Sequence, residues 1–271
     1  MIGRDARGAG FRLICAGLLA VLSFGCATTG PEGKKSLILI GDGEERSLGS
    51  RMAGQIKTEN KFVADPAVSE YVNRVGQSIV RLSDRPGIPY EFAVIESKDV
   101  NAFALPGGYI YVYTGLLKHL DTEAQLAGVL GHEVSHVVAR HGVKQLQEGL
   151  GLQVLSEILL GGSSETTQAL VGQGLGLLMK GYSRSMESEA DHLGILYSAR
   201  AGHNPRGMVQ VLEKLNQLSG GSGGFWEALS SDHPPASRRI AAVQGEIESM
   251  GLDVGLPDNE QTYRAMKVRL K

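Results

Sequence analysis

Two histidines and a glutamate constrain this chain more than anything else in it. His132-Glu133-Val134-Ser135-His136 follows the apolar run Leu126 to Gly131. In a helix of 3.6 residues per turn, positions four apart share a face. His132 and His136 can then aim imidazole nitrogens at one ion. Glu133 lies one step round, where it can reach a metal-bound water without ligating the metal. Asp121 or Thr122 can cap this helix, and the pattern predicts that it runs to about His141. The spacing is that of HExxH, two zinc ligands with a general base between them.

A catalytic zinc takes three protein ligands and keeps a fourth position open. His141, nine residues after His132, falls on the opposite side of a continuous helix, which argues against it as the third ligand. Glu187 and Asp191 are four apart on a later predicted helix and share a face, while Glu189 is expected to project the other way. Glu187 as ligand, with Asp191 behind it bonding a ligand histidine, makes a coherent pair of shells. The alternative is a solvated acidic face.

The chain reads as one domain with an address in front. Arg4, Arg7 and Arg12 precede an uncharged run from Leu13 to Phe24, the order of a secretory signal. The run is short for a membrane span. It ends in Leu22-Ser23-Phe24-Gly25-Cys26, which resembles a bacterial lipobox, with Ser23 and Phe24 as atypical members. The expected organisation is a signal peptide over 1–25, a tether over 26–44, a zinc metallopeptidase domain over 45–250 and a short C-terminal tail over 251–271. Lipidated Cys26 would hold the protein on a membrane, and the resemblance to Gram-negative lipoproteins implies, from Ala27 after the cysteine, the outer membrane. Two cysteines exclude a disulfide framework. A formal net charge of −2 gives no basic surplus for nucleic acid.

The predicted elements run in two blocks. Helices over 45–56 and 67–82 come first, and short strands over 90–95, 101–105 and 109–113 follow. Helices over 143–160, 166–180, 184–201, 205–219 and 236–250 come after the motif helix. The fold class is α+β, mostly helical, with a small β-sheet ahead of the active-site helix. The glycine-rich stretch 161–181 is either a mobile cover over the cleft or a packed helix hairpin.

Four segments, in order, resemble the HtpX/CAAX-prenyl-protease family of zinc metallopeptidases, in its periplasmic lipoprotein branch. They are Gly131 to His141, Ser183-Arg-Ser-Met-Glu-Ser-Glu-Ala-Asp191, Asn101 to Val112, and His233-Pro-Pro-Ala-Ser-Arg-Arg-Ile240. The resemblance covers about residues 45–245. It implies a gluzincin-type fold and one zinc ion per chain, held by His132, His136 and Glu187. Glu133 is then the general base, and Asp191 orients a ligand histidine. His233 and Arg239 would sit near the metal, supporting the oxyanion or a closed resting state. For His233 the other reading is a turn histidine before Pro234-Pro235; for Arg239 it is a solvated helix start. His119, His192 and His203 are expected in surface or satisfied polar roles.

The implied function is a zinc endopeptidase acting on unfolded or misassembled envelope polypeptides. An unpaired strand edge within 101–113 would take an extended peptide by main-chain hydrogen bonds. The second reading is a non-proteolytic periplasmic binding or assembly factor that uses the same cleft with structural zinc. A third is a hydrolase trimming only short peptides.

Overall fold

The computed structural model describes residues 27–29, 31, 35–162, 164–219, 236–252 and 255–270. The signal peptide, Cys26 and His233 lie outside the described residues. Among the described residues, no helix is long and apolar enough to cross a membrane.

A short antiparallel ribbon of β1 (Ala27–Thr29) and β2 (Lys35–Leu37) leads into α1 (Asp42–Glu59) and α2 (Pro66–Val80). The main sheet has three strands: β3 (Glu91–Ile95), β4 (Ala102–Leu105) and β5 (Tyr109–Tyr113), in the order β3-β5-β4. β5 runs parallel to β3, pairing Glu91 with Tyr109 through to Ile95 with Tyr113. β4 is antiparallel to β5, pairing Ala102 with Val112 and Leu105 with Tyr109. The hairpin between them turns through Gly107 and Gly108, at φ 75° and 94°. Among the described residues the helices that follow are α3 (Thr114–His119), α4 (Glu123–Val138), α5 (His141–Leu160), α6 (Glu165–Leu178), α7 (Arg184–Arg200), α8 (Arg206–Ser219) and α9 (Ala236–Ser249). α10 (Glu260–Lys267) is the last element.

Strand alternation divides the core. Ala102, Ala104, Ile110 and Val112 pack on one side with α2, α4 and α7 residues such as Val72, Leu130 and Leu193. Phe103, Leu105, Tyr109 and Tyr111 pack on the other with Met52 of α1, Leu146 of α5 and Leu175 of α6. Successive side chains of a strand point to opposite faces, so one sheet serves two cores. A third cluster joins α7, α8 and α9 through Ile195, Leu212, Val243 and Ile247.

α4 is buried along its whole length, from Glu123 to Val138. Thr122 caps it, its hydroxyl oxygen accepting from the Gln125 N–H at 3.1 Å. Its small residues admit neighbours: a methyl on Gly131 would lie 2.8 Å from the Gly194 carbonyl oxygen of α7 and 2.6 Å from Ser198 Oγ. That approach brings the backbone carrying Glu187 and Asp191 against the backbone carrying His132 and His136.

The two sheet edges differ. Beside β3, the Val63 N–H donates to the Val94 carbonyl at 2.9 Å, and the Glu96 N–H donates to the Lys61 carbonyl at 2.7 Å. At the other end of the sheet is β4, whose Ala102, Phe103 and Ala104 line a pocket together with Glu133.

Three expectations need correction. The motif helix does not reach His141. Arg140 turns left-handed, at φ 56° and ψ 34°, and α5 begins at His141 in a new direction. Arg140 Nε donates to Glu45 Oε2 at 2.7 Å, and its Nη2 donates to the Ile40 carbonyl at 2.5 Å. Glu45 also binds Arg85 and the Gly107 N–H. This buried cluster offsets a left-handed conformation costing about 1–2 kcal/mol. Second, the span 26–44 is not only a tether: β2 and buried Ile38 and Ile40 belong to the folded body. Third, 251–271 is not a loose tail. Tyr263 and Met266 of α10 join the first core, and Tyr263 Oη donates to the Leu117 carbonyl at 2.7 Å. The glycine-rich stretch forms α6, whose Val171, Leu175 and Leu178 pack in the second core with α5, as in the hairpin reading.

Candidate metal centre

His132, His136 and Glu187 each bring one ligand atom to a common point, all within 4.8 Å of one another. His132 Nε2 and His136 Nε2 are 3.0 Å apart. Glu187 Oε2 is 3.5 Å from the first, and Glu187 Oε1 is 3.5 Å from the second. Ligands about 2.0–2.1 Å from a tetrahedral zinc are roughly 3.4 Å apart, so these separations are of the size that a zinc site requires. All three residues are buried.

The electrostatics fit too. Burial disfavours a charged His132, but the Asp191 and Glu187 carboxylates outweigh it and raise its pKa to about 10. The donor set of two imidazoles and a carboxylate suits zinc.

Each donor has support from behind. His132 Nδ1 lies 3.0 Å from Asp191 Oδ1. Asp191 is buried, which would raise its pKa, yet His132 and Arg239 hold it below the usual carboxylate range. Arg239 grips Asp191 with two bonds, Nε to Oδ2 at 2.7 Å and Nη2 to Oδ1 at 2.5 Å. Its Nη1 lies 3.1 Å from Glu187 Oε2. Arg239 thus lies beside the candidate ligands, as expected, with its guanidinium on Glu187 and Asp191 and not in the solvated position of the other reading.

Behind His136 stand two residues that sequence reasoning did not place there. Tyr182 stacks on its ring, centroids 4.1 Å apart with 20° between planes. His141 Nδ1 is 2.9 Å from His136 Nδ1, and His141 Nε2 is 3.2 Å from Glu189 Oε2. Glu189 therefore does not project away from the site. The break at Arg140 carries no glycine or proline to announce it, and Tyr182 precedes its helix with no periodicity to mark it. Burial lowers the His141 pKa, with Glu189 opposing it.

Glu133 is buried and lines a narrow cavity of about 20 Å³ with Asn101 to Ala104 of β4 and with Leu178, Met179, Gly181 and Tyr182. Gln145 Nε2 fastens the second wall, donating to the Leu177 carbonyl at 2.8 Å and to the Gly181 carbonyl at 3.0 Å. The remaining histidines have polar partners elsewhere: His119 with the Gly115 carbonyl, His192 with Glu246 and His203 with Ser78.

With this geometry in place, the comparison with known sequences decides the family. Residues 66–247 match the profile of Peptidase family M48. The chain belongs to peptidase family M48. M48 peptidases are zinc metalloproteases of gluzincin fold, so the chain carries a zinc-metallopeptidase domain, and the cluster of His132, His136 and Glu187 is able to bind its metal. The M48 relatives include a beta-barrel assembly-enhancing protease of Escherichia coli K12, 29% identical over 220 residues, 77% of this chain and 45% of the relative. The mitochondrial metalloendopeptidase OMA1 of Arabidopsis thaliana is 35% identical over 182 residues, 67% of this chain and 36% of the relative. The metalloprotease LoiP of Escherichia coli K12 is 29% identical over 250 residues, 87% of this chain and 98% of that protein. The chain thus spans less than half the length of the first two and nearly all of the third.

Proposed function

We propose that this M48 metallopeptidase is an endopeptidase acting on unfolded or misassembled polypeptides of the cell envelope. The observation that carries the reading is that the edge strand β4 lines the same cavity as Glu133, the neighbour of His132 in the metal cluster. An extended chain added to that edge brings its own backbone carbonyl to the metal and needs no particular sequence. A folded protein does not offer such a strand.

The residues divide the chemistry. His132, His136 and Glu187 would hold the zinc, which would supply Lewis acidity toward the scissile carbonyl and toward water near neutral pH. Glu133 takes the proton of the attacking water and returns it to the leaving amine. Asp191 fixes His132 by its Nδ1 side and leaves Nε2 for the metal. Arg239 holds Asp191 and Glu187 at their spacing. Substrate entry displaces the wall Leu178 to Tyr182, because a cavity of about 20 Å³ admits no peptide. His233, close in sequence to Arg239, remains a candidate for a further group at the metal.

The envelope setting draws on the signal-like residues 1–25, on Cys26 in its lipobox-like context, and on the likeness to a beta-barrel assembly-enhancing protease. Lipidated Cys26 facing the periplasm, as an outer-membrane lipoprotein, is part of the proposal. Two measurements test it. Mass spectrometry of digests should find internal cuts in a permanently unfolded substrate and none in its folded form; equal rates on both, or release of N-terminal residues only, would refute it. A Cys26→Ser protein should leave the membrane fraction, and its staying there would refute the anchor.

A further inference from the structure

Glu189 approaches one nitrogen of His141, and the other nitrogen of His141 meets a zinc ligand. A neutral imidazole donates at one nitrogen and accepts at the other. A carboxylate only accepts, so Glu189 at 3.2 Å requires the His141 proton to be on Nε2. His141 Nδ1 then carries a lone pair and accepts from His136 Nδ1–H at 2.9 Å. With its proton on Nδ1, His136 has a bare Nε2, the atom 3.0 Å from His132 Nε2 and 3.5 Å from Glu187. The opposite arrangement would put two lone pairs face to face at Glu189 and a proton in the metal position.

We infer that His141 and Glu189 are positioning residues for His136, a relay that fixes its tautomer as Asp191 fixes that of His132. The zinc centre therefore has two separate supports, one on each histidine. The relay depends on the left-handed turn at Arg140, which swings His141 back against the helix it follows. His141 is fully buried and Glu189 partly exposed, so the relay ends near solvent.

The inference rests on the zinc reading of the centre, and the test separates the two. Zinc affinity of the full protein is measured by competition with a chromophoric chelator, needing no catalytic turnover. The deciding pair is Glu189→Gln and Glu189→Met, which match in length and charge. Gln keeps an acceptor oxygen and should bind zinc close to the parent, whereas Met should bind about tenfold more weakly, within the range seen for lost outer-shell partners. His141→Phe should lose about tenfold to hundredfold. If His141→Phe does not fold, the Glu189 pair still decides. Equal affinity of the Gln and Met variants would overturn the relay and leave the zinc centre intact. A parent that binds no zinc would overturn both.

Discussion

Asp191 and Arg239 show how much of the centre lies outside the three ligands. Asp191 is buried between His132 and a two-bonded guanidinium. Replacing it with Asn keeps the shape but removes the charge that both neighbours require. The variant should bind zinc about tenfold to hundredfold more weakly, by chelator competition. It should also lose about 3–5 kcal/mol of stability in urea, because a buried Arg239 is left without its main counter-charge. Unchanged zinc affinity would mean that Asp191 does not orient His132.

The pairing of α4 with α7 sets the distance between the two halves of the metal site. Gly131 is where they touch, with no room for a methyl group. Glycine to alanine inside a helix normally stabilises, by up to about 1 kcal/mol. Here Gly131→Ala should destabilise by about 1–3 kcal/mol through overpacking and weaken zinc binding as the helices separate. A rise in melting temperature would contradict the close contact.

The elements that local sequence specifies are the ones read correctly in advance. The cap at Thr122, the strand trio and the helices α6 to α9 follow from propensity, punctuation and periodicity. The ligand face of α4 follows from the helical repeat alone. What escaped was imposed from a distance. The left-handed Arg140 is held by Glu45, 95 residues earlier, and no local signal marks the break. That one turn redirects His141, which is what brings it to Glu189. α10 escaped for a similar reason: its short amphipathic pattern acquires meaning only once Tyr263 finds the core and the Leu117 carbonyl.

At the scale of the whole molecule, the C-terminal segment closes the fold against the start of the motif helix. Asn259 donates to Glu123 at 2.9 Å, and the Ala124 N–H donates to the Asp258 carbonyl at 3.2 Å. Tyr263→Ala should therefore cost about 3–5 kcal/mol, the range for deleting a buried aromatic ring. Glu123 gives this junction a pH dependence. Burial pushes its pKa up, but Arg74, Tyr71 and Asn259 together bring it below the ordinary value. A lowered carboxylate stabilises fully above its unfolded pKa and loses that stabilisation as pH falls through the folded value. The stability gap between the parent and Glu123→Gln should be largest near neutrality and shrink in acid. A gap that does not change with pH would rule out this ionic clasp.

These scales meet at the chemical event proposed above, proton transfer by Glu133 beside zinc held by His132, His136 and Glu187. The most direct test pairs the parent with Glu133→Gln, each purified, its zinc content measured, and incubated with casein. Both proteins should hold one zinc per chain, since Glu133 is not a ligand, and only the parent should cut, the variant falling by about 10²–10⁴-fold. Hydrolysis by the Gln variant at the parent's rate, or loss of its zinc, would contradict the account.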